Sequence, residues 1–239
     1  MKGVLLAGGT GSRLGQLTRV TNKHLLPIYN KPMIFYPLST LIDLGIKEIL
    51  VVTSVDFCGH ISQLLGSGKD FGVELSYKVQ DEAGGIAQAL ALAEGFACGS
   101  DLCVILGDNI FAQKFTDYSA KYFKNGAKVF LSKTESPQRF GVAEIYNRKL
   151  IGIEEKPNKP KSDYAVTGLY MYDSTVFDCI RQIKPSSRNE LEITDVNNYY
   201  ISKNTMSFEF LTGDWTDAGT YESLFRANSI ARDISLNRK

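Results

Sequence analysis

The chain has 239 residues, 44% hydrophobic and 22% charged, and its formal net charge is +1. This near-neutral balance excludes partners held by bulk positive charge, a nucleic-acid polymer or an anionic membrane, so any cationic chemistry must be local. No apolar run approaches the ~20 residues of a membrane span, no secretory signal is visible and none is expected, and four cysteines without a C-x-x-C pair beside two histidines argue against structural zinc and for reduced thiols in a cytoplasmic protein.

Val4 to Ala7 reads as a short buried strand that feeds L-A-G-G-T-G-S-R at residues 6–13. Gly8, Gly9 and Gly11 allow a tight turn with closely approaching N–H groups, and a loop entering a helix N-terminus is an anion cradle. Arg13 adds a guanidinium fork suited to phosphate, and Lys23 follows ten positions later. No lysine follows a glycine as a Walker loop requires, and Leu14 stands where a dinucleotide fingerprint needs glycine. Both familiar patterns fail. A nucleoside triphosphate site and a plain glycine-rich turn remain.

Met33 to Leu44 has apolar residues at helical spacing and stops at Gly45; Ile46 to Thr53 is a strand, and Ile61 to Leu65 is helical. Leu75 to Val79 is the next strand, Gly84 to Phe96 a helix, and Leu102 to Leu106 a fully apolar strand. Beyond about residue 125 come strands at 127–132, 141–146, 150–154 and 165–172, with Asn147-Arg148 suggesting a hairpin. Helices return at 175–183, 193–202 and 219–234. The alternation predicts an α/β fold, a Rossmann-like three-layer α/β/α arrangement on a mixed, mainly parallel central sheet. No boundary divides it, so residues 1–239 are expected to form a single domain.

Asp108 and Asn109 follow the fully apolar strand, at the carboxyl end where open α/β sheets bind ligands. Asp108 there suits Mg²⁺, which takes one or two carboxylates plus phosphate oxygens, against a turn aspartate as the alternative. Asp217, in W-T-D-A-G before the last helix, is a second candidate ligand or an N-cap. Gln80 ends the third strand; its amide suits a pyrimidine edge or belongs to an ordinary surface. Glu154, Glu155 and Lys156 before Pro157 could meet sugar hydroxyls and phosphate, or form a solvated charge cluster. Arg188 is a phosphate clamp or a residue beside a helix start. With two histidines in the chain, a histidine general base is not expected.

Together these segments resemble the sugar-1-phosphate nucleotidyltransferases, in particular the glucose-1-phosphate thymidylyltransferases. The matching runs include L-A-G-G-T-G-S-R-L, N-K-H-L-L-P-I-Y, Y-K-V-Q-D, G-G-I-A-Q-A-L, L-G-D-N-I-F, R-F-G-V, E-E-K-P, Y-A-V-T-G-L-Y, L-E-I-T-D and W-T-D-A-G. Each is unspecific alone, but their order and spacing over nearly the whole chain are highly specific. The resemblance implies thymidylyl transfer from dTTP to α-D-glucose 1-phosphate, giving dTDP-glucose and pyrophosphate with Mg²⁺ as cofactor. The close alternatives are uridylyl transfer or another sugar 1-phosphate; the distant one is a non-catalytic nucleotide-sensing domain.

By the same resemblance, Gly8, Gly9, Gly11, Ser12 and Arg13 hold the triphosphate, and Lys23 neutralises charge at the reacting phosphates. Gln80 and Gly85 read the thymine, and Asp108 with Asp217 share Mg²⁺. Asn109, Gly141, Glu155 and Val166 line the sugar pocket, while Lys156 and Arg188 face the sugar phosphate. A nucleotide-binding half at about 1–125 and a sugar-binding half at about 126–239 follow. Family habit implies a homo-oligomer, with a dimer as the simplest case. The chain departs from the pattern at Gln16, where proline is usual, and at Asn189, where glycine is usual. It also stops at Lys239, short of a C-terminal helical extension, so the regulatory nucleotide site and tetramer of longer relatives are not expected to carry over.

Overall fold

The computed structural model describes residues 1–9, 11–116 and 123–236; Thr10 of the glycine-rich loop, residues 117–122 and residues 237–239 lie outside the description. The chain opens with β1 (Lys2–Ala7), a small antiparallel pair β2 (Pro27–Ile28) and β3 (Lys31–Pro32), and α1 (Phe35–Asp43). There follow β4 (Glu48–Ser54), α2 (Cys58–Leu65), β5 (Glu74–Gln80), α3 (Ile86–Ala91), α4 (Glu94–Ala97), β6 (Leu102–Leu106) and β7 (Asn109–Phe111). The second half comprises β8 (Ala127–Lys133), β9 (Gly141–Tyr146), β10 (Lys149–Glu155), β11 (Tyr164–Tyr172), α5 (Val176–Ile180), α6 (Ile193–Ser202), β12 (Met206–Phe210), β13 (Trp215–Asp217) and α7 (Tyr221–Leu236).

One sheet takes strands from both halves. Parallel strands β5, β4, β1 and β6 lie side by side, and β11 joins β6 antiparallel. β11 also carries β8 and the start of the β9–β10 hairpin, and β12 extends β8 in parallel. The expected mixed sheet with a parallel centre is therefore the one observed.

Side chains alternate across the sheet, as a pleated strand dictates. From β1, Val4 and Leu6 enter one core with α3, α5 and α6; Leu5 and Ala7 enter the opposite core with α1 and α2. β4 and β6 split the same way, Val52 and Val104 to the first core, Val51 and Ile105 to the second. Burial on both faces is why these strands read as continuous apolar runs. A smaller third cluster joins Ile28, Met33, Ile110, Ala218, Ala227 and Ile230. It clamps α7 over β7 and β13, which form their own antiparallel pair.

Several local expectations change. The helix expected over 84–96 is two, because Ala93 N–H turns back to Leu90 O and closes the first after Ala91. The helix expected over 175–183 closes at Ile180, where Gln182 N–H bonds Cys179 O in a tighter turn. Strands β2, β3, β7, β12 and β13 were not expected; most are two or three residues long and carry too little periodicity to read. The hairpin at Asn147-Arg148 is as expected: φ is +47° and +60° at its two central residues, a type I′ pattern.

No helix among the described residues is long and apolar enough to cross a membrane. Ile105 is fully buried in the central strand β6, which carries the site on its carboxyl end. Ile105→Ala should lower unfolding stability by about 2–5 kcal/mol, seen in urea as an earlier midpoint with an unchanged slope.

Candidate active site

Chain order leaves β1 toward β4 on one side and returns to β6 on the other, so the carboxyl ends of β1 and β6 flank a topological switch point. Gly107 N–H donates to Leu6 O at 2.8 Å and joins those two ends. A cleft of about 600 Å³ opens there, lined by Gly8, Gly9, Gly11, Ser12, Arg13, Lys23, Gln80 and Gly85. A second hollow of about 170 Å³ adjoins it, lined by Asn109, Gly141, Glu155, Val166 and Asp217. Arg13, Asp108, Lys156 and Arg188 border both. Every residue given a role by the resemblance thus lines one or the other, whereas Glu154 of the charge cluster is exposed and lines neither.

Gly8 lies close against the Gln80 side chain. A Cβ there would stand 2.3 Å from Gln80 Oε1, so any other residue would displace the Gln80 amide. Gly85 needs glycine twice over: its φ is +99°, and a Cβ would lie 2.5 Å from Leu191 O. That backbone contact is fastened by Leu191 N–H to Gly84 O at 2.8 Å and Ala87 N–H to Leu191 O at 3.2 Å. The R-N-E-L-E-I-T-D segment is thereby held against the start of α3.

Asp108 and Asp217 are far apart in sequence and adjacent in space. The β7–β13 ladder pairs Asn109 with Asp217, and Ala218 N–H donates to Asp108 O at 2.8 Å. Both side chains are nearly buried, at 8% and 9% exposure. Burial and the facing Asp108 charge push the Asp217 carboxyl above its ordinary range, against Arg139, Arg13 and Lys23. Burial would also raise Asp108, but the Lys23 ammonium, with further help from His24 and Asn109, holds it well below the usual carboxylate range.

Lys23 Nζ is bonded to Asp108 Oδ2 and lies under Gly9. It projects from a single 3₁₀ turn, Lys23–Leu25, whose first residues are tied by Asn22 Oδ1 accepting His24 N–H at 2.8 Å. Arg139, given no role from the sequence, places Nη2 3.0 Å from both oxygens of Asp217. It ends the short turn Pro137–Arg139 and begins R-F-G-V, a run recognisable in the sequence although its arginine was passed over. The Arg13 guanidinium lies close to Asp217, both reaching toward Gly219.

Two side-by-side buried carboxylates repel, and a divalent cation that takes further ligands from phosphate oxygens suits such a pair. Among the described residues no cluster of three or more His, Cys, Asp or Glu could hold a metal unaided. The N-cap alternative for Asp217 is excluded. α7 starts at Tyr221, and its end is capped by Thr220 and Ser223, which exchange bonds: Ser223 N–H to Thr220 Oγ1 at 3.3 Å and Thr220 N–H to Ser223 Oγ at 3.0 Å.

Asn109 borders the smaller hollow, yet its amide is largely engaged. Oδ1 accepts from Gly168 N–H at 2.9 Å and Trp215 Nε1–H at 2.7 Å, and Nδ2 donates to Asp108 Oδ1 at 2.9 Å. It therefore aims Asp108 and fixes β11 and β13 around it. Glu155 accepts from Thr194 Oγ1 at 2.7 Å and pairs with Lys156 and Arg188 at 3.3 and 3.2 Å. Arg188 also bonds Glu192 at 2.8 Å, at the start of α6, so it is both beside a helix start and on the cleft. Asn189 adopts φ +59°, the left-handed conformation that glycine allows, and so keeps the turn. Gln16 sits in a 3₁₀ turn where its carbonyl accepts Arg19 N–H.

His24 is not poised as a base. Burial, then the Lys23 charge, lowers its pKa from 6.5 to about 3, and its Nδ1–H donates to Asn22 Oδ1 at 2.6 Å. It is neutral when folded and titrates near 6.5 when unfolded, so protons favour the unfolded chain. Stability should fall as pH drops from about 6.5 toward 3, and His24→Gln should flatten that fall by up to one proton. Urea unfolding between pH 4 and 7 measures it; an unchanged slope would mean a charged His24 in the fold.

The chain matches the family model for nucleotidyl transferases over residues 2–233. It is 46% identical over 240 residues to the glucose-1-phosphate thymidylyltransferase of Neisseria meningitidis, an alignment covering 98% of this chain and 83% of that one. A crystal structure assigned as a glucose-1-phosphate thymidylyltransferase from Bacillus anthracis, with sucrose bound, superposes with a TM-score of 0.93 at 53% identity, covering 98% of this chain and 96% of that one. A UDP-glucose pyrophosphorylase in complex with UDP-glucose has the same fold, with a TM-score of 0.83 at 23% identity over 97% of this chain and 98% of that one. On the family match and these relatives, with the site they share a fold for, the chain belongs to the nucleotidyl transferase family, alongside the glucose-1-phosphate thymidylyltransferases.

Proposed function

We propose that this protein transfers a thymidylyl group from dTTP to α-D-glucose 1-phosphate, giving dTDP-glucose and pyrophosphate with Mg²⁺ as cofactor. The observation that carries the reading is the meeting of Arg13, Lys23, Asp108 and Asp217 at the ends of β1 and β6, between the two hollows. The larger hollow, formed mostly by residues 1–125, takes the nucleotide; the smaller, formed mostly by residues 126–239, takes the sugar.

A phosphate oxygen of the sugar attacks the α-phosphorus in line as the bond to the β-phosphate oxygen breaks, and pyrophosphate leaves with that electron pair. The sugar phosphate has a second pKa of about 6, as phosphate monoesters do, and is mostly dianionic at neutral pH. No side chain need take a proton, consistent with the neutral, buried His24. The difficulty is repulsion between anions, answered by positioning and fixed positive charge. Arg13 and the loop N–H groups hold the departing pyrophosphate, and Lys23 sits where the α-phosphate charge develops. Lys156 and Arg188 hold the incoming phosphate, and Glu155 accepts from sugar hydroxyls. Mg²⁺ held by Asp108 and Asp217 supplies charge neutralisation on the triphosphate.

Pyrophosphate release across a panel of nucleoside triphosphates and sugar 1-phosphates tests the reading. dTTP with glucose 1-phosphate should give the highest kcat/KM, and a protein inactive with every pair would overturn it. Lys23→Ala and Asp108→Ala should each lower turnover about 100-fold or more, with unchanged circular dichroism; near-normal turnover in either would remove these residues from the site.

Arg139 occupies the Asp217 carboxylate, so it and a divalent cation compete for the same oxygens. Arg139→Gln should raise the affinity of the nucleotide-free protein for Mn²⁺ several-fold, read by electron paramagnetic resonance of free Mn²⁺, whereas Asp217→Asn should lower it.

A further inference from the structure

Three carboxylates reach Arg188, and one of them holds it differently from the others. Glu192 Oε1 accepts Nε–H at 3.2 Å and its Oε2 accepts from Nη2 at 2.8 Å, a two-point grip on one edge of the guanidinium. Glu155 accepts from Nη2 once, at 3.2 Å, and is shared with Lys156 and Thr194. Glu190, at 3.6 Å, is an ion pair beyond hydrogen-bond distance. The Glu192 side chain is only 12% exposed, and a third partner fastens it. Ser186 Oγ donates to Glu192 Oε1 at 2.6 Å and accepts the Arg188 N–H at 3.2 Å.

Glu192 stands immediately before α6, with φ −80° and ψ 132°, where an N-cap belongs, yet its side chain makes no cap bond. Serine, threonine, aspartate or asparagine fills that position when capping is the need. Here the carboxylate is turned to the arginine instead. The bonds admit no exchange of roles, because an ionised carboxylate only accepts and a guanidinium only donates. A guanidinium has five N–H donors; Nε–H and the pair on Nη2 go to Glu192 and Glu155. The pair on Nη1 meets no acceptor among the described residues, and Arg188 borders both hollows. A fork already held along one edge loses little side-chain freedom when a phosphate arrives, whereas a free one must be ordered at that moment.

We propose that Glu192 is a positioning residue that grips one edge of the Arg188 guanidinium and so keeps the Nη1 donors free for the phosphate of the sugar substrate. This rests on the reading above that Arg188 meets that phosphate. Glu192 borders the smaller hollow, but its oxygens are engaged by Arg188 and Ser186, so it acts through Arg188. Without that grip, Glu155 and Glu190 compete for the fork.

Glu192→Gln keeps the shape and removes the charged two-point acceptor; Ser186→Ala leaves the ion pair and removes only its third partner. Steady-state kinetics with dTTP and glucose 1-phosphate, and calorimetric binding of glucose 1-phosphate, are measured for each, alone and combined with Arg188→Ala. Glu192→Gln should raise the KM for glucose 1-phosphate about five- to tenfold and leave the KM for dTTP unchanged. Ser186→Ala should move the first KM in the same direction by less. The dTTP value reports mere loosening: Leu191 is bonded to Gly84 and Ala87, so a segment that came adrift would disturb the nucleotide hollow too. With Arg188→Ala already present, Glu192→Gln should add nothing. An unchanged or lower KM for glucose 1-phosphate in Glu192→Gln would overturn the proposal, as would a rise in both KM values or a full effect that persists without Arg188. If Arg188→Ala leaves the binding of glucose 1-phosphate unchanged, the phosphate reading of Arg188 falls and the proposal with it. A protein that transfers nothing, yet loses calorimetric binding of glucose 1-phosphate in Glu192→Gln, would overturn the proposed reaction and leave the role of Glu192 standing.

Discussion

Two nearly buried carboxylates that face one another set the terms for this structure. Asp108 leaves the end of the apolar strand β6, and Asp217 is brought beside it by the β7–β13 pair. Burial disfavours both charges, and each opposes the other. A buried charge is kept only if it is paired and hydrogen-bonded. Lys23 answers Asp108 and Arg139 answers Asp217, each from a short 3₁₀ turn placed by the surrounding loops. Asn109, bonded to Asp108, Gly168 and Trp215 at once, ties that charge arrangement to the sheet.

The same arrangement serves a reaction whose obstacle is negative charge. Fixed cations near buried carboxylates form a preorganised field that needs little rearrangement when phosphates enter. The third apolar cluster, under α7, holds β13 and hence Asp217 in register; the packing of a helix at the end of the chain therefore bears on a site that begins at Gly8. Fold stability and site geometry are here one problem.

The sequence made the frame legible because its strands are buried on both faces. β1, β4 and β6 appear as unbroken apolar runs, and the alternation with helical spacing gave the layered fold. The short strands β7 and β13 were missed, since three residues carry no measurable period. Yet those two strands bring the aspartates together. Arg139 was overlooked for a related reason: an arginine in R-F-G-V looks like any surface cation until Asp217 is found opposite it. The single helix expected over 84–96 and the N-cap alternative for Asp217 failed because turn closure and capping depend on neighbours that periodicity does not reveal.

Residue chemistry and order along the chain therefore determined the α/β architecture, the glycine-rich loop after β1 and many of the residues that line the cleft. Only the tertiary structure decided which charges face one another: Lys23 with Asp108, Arg139 with Asp217, Arg188 with Glu155 and Glu192. Residue type is local, whereas electrostatic pairing and hydrogen-bond direction are set by distance and burial, and folding joins residues as far apart as 23 and 108.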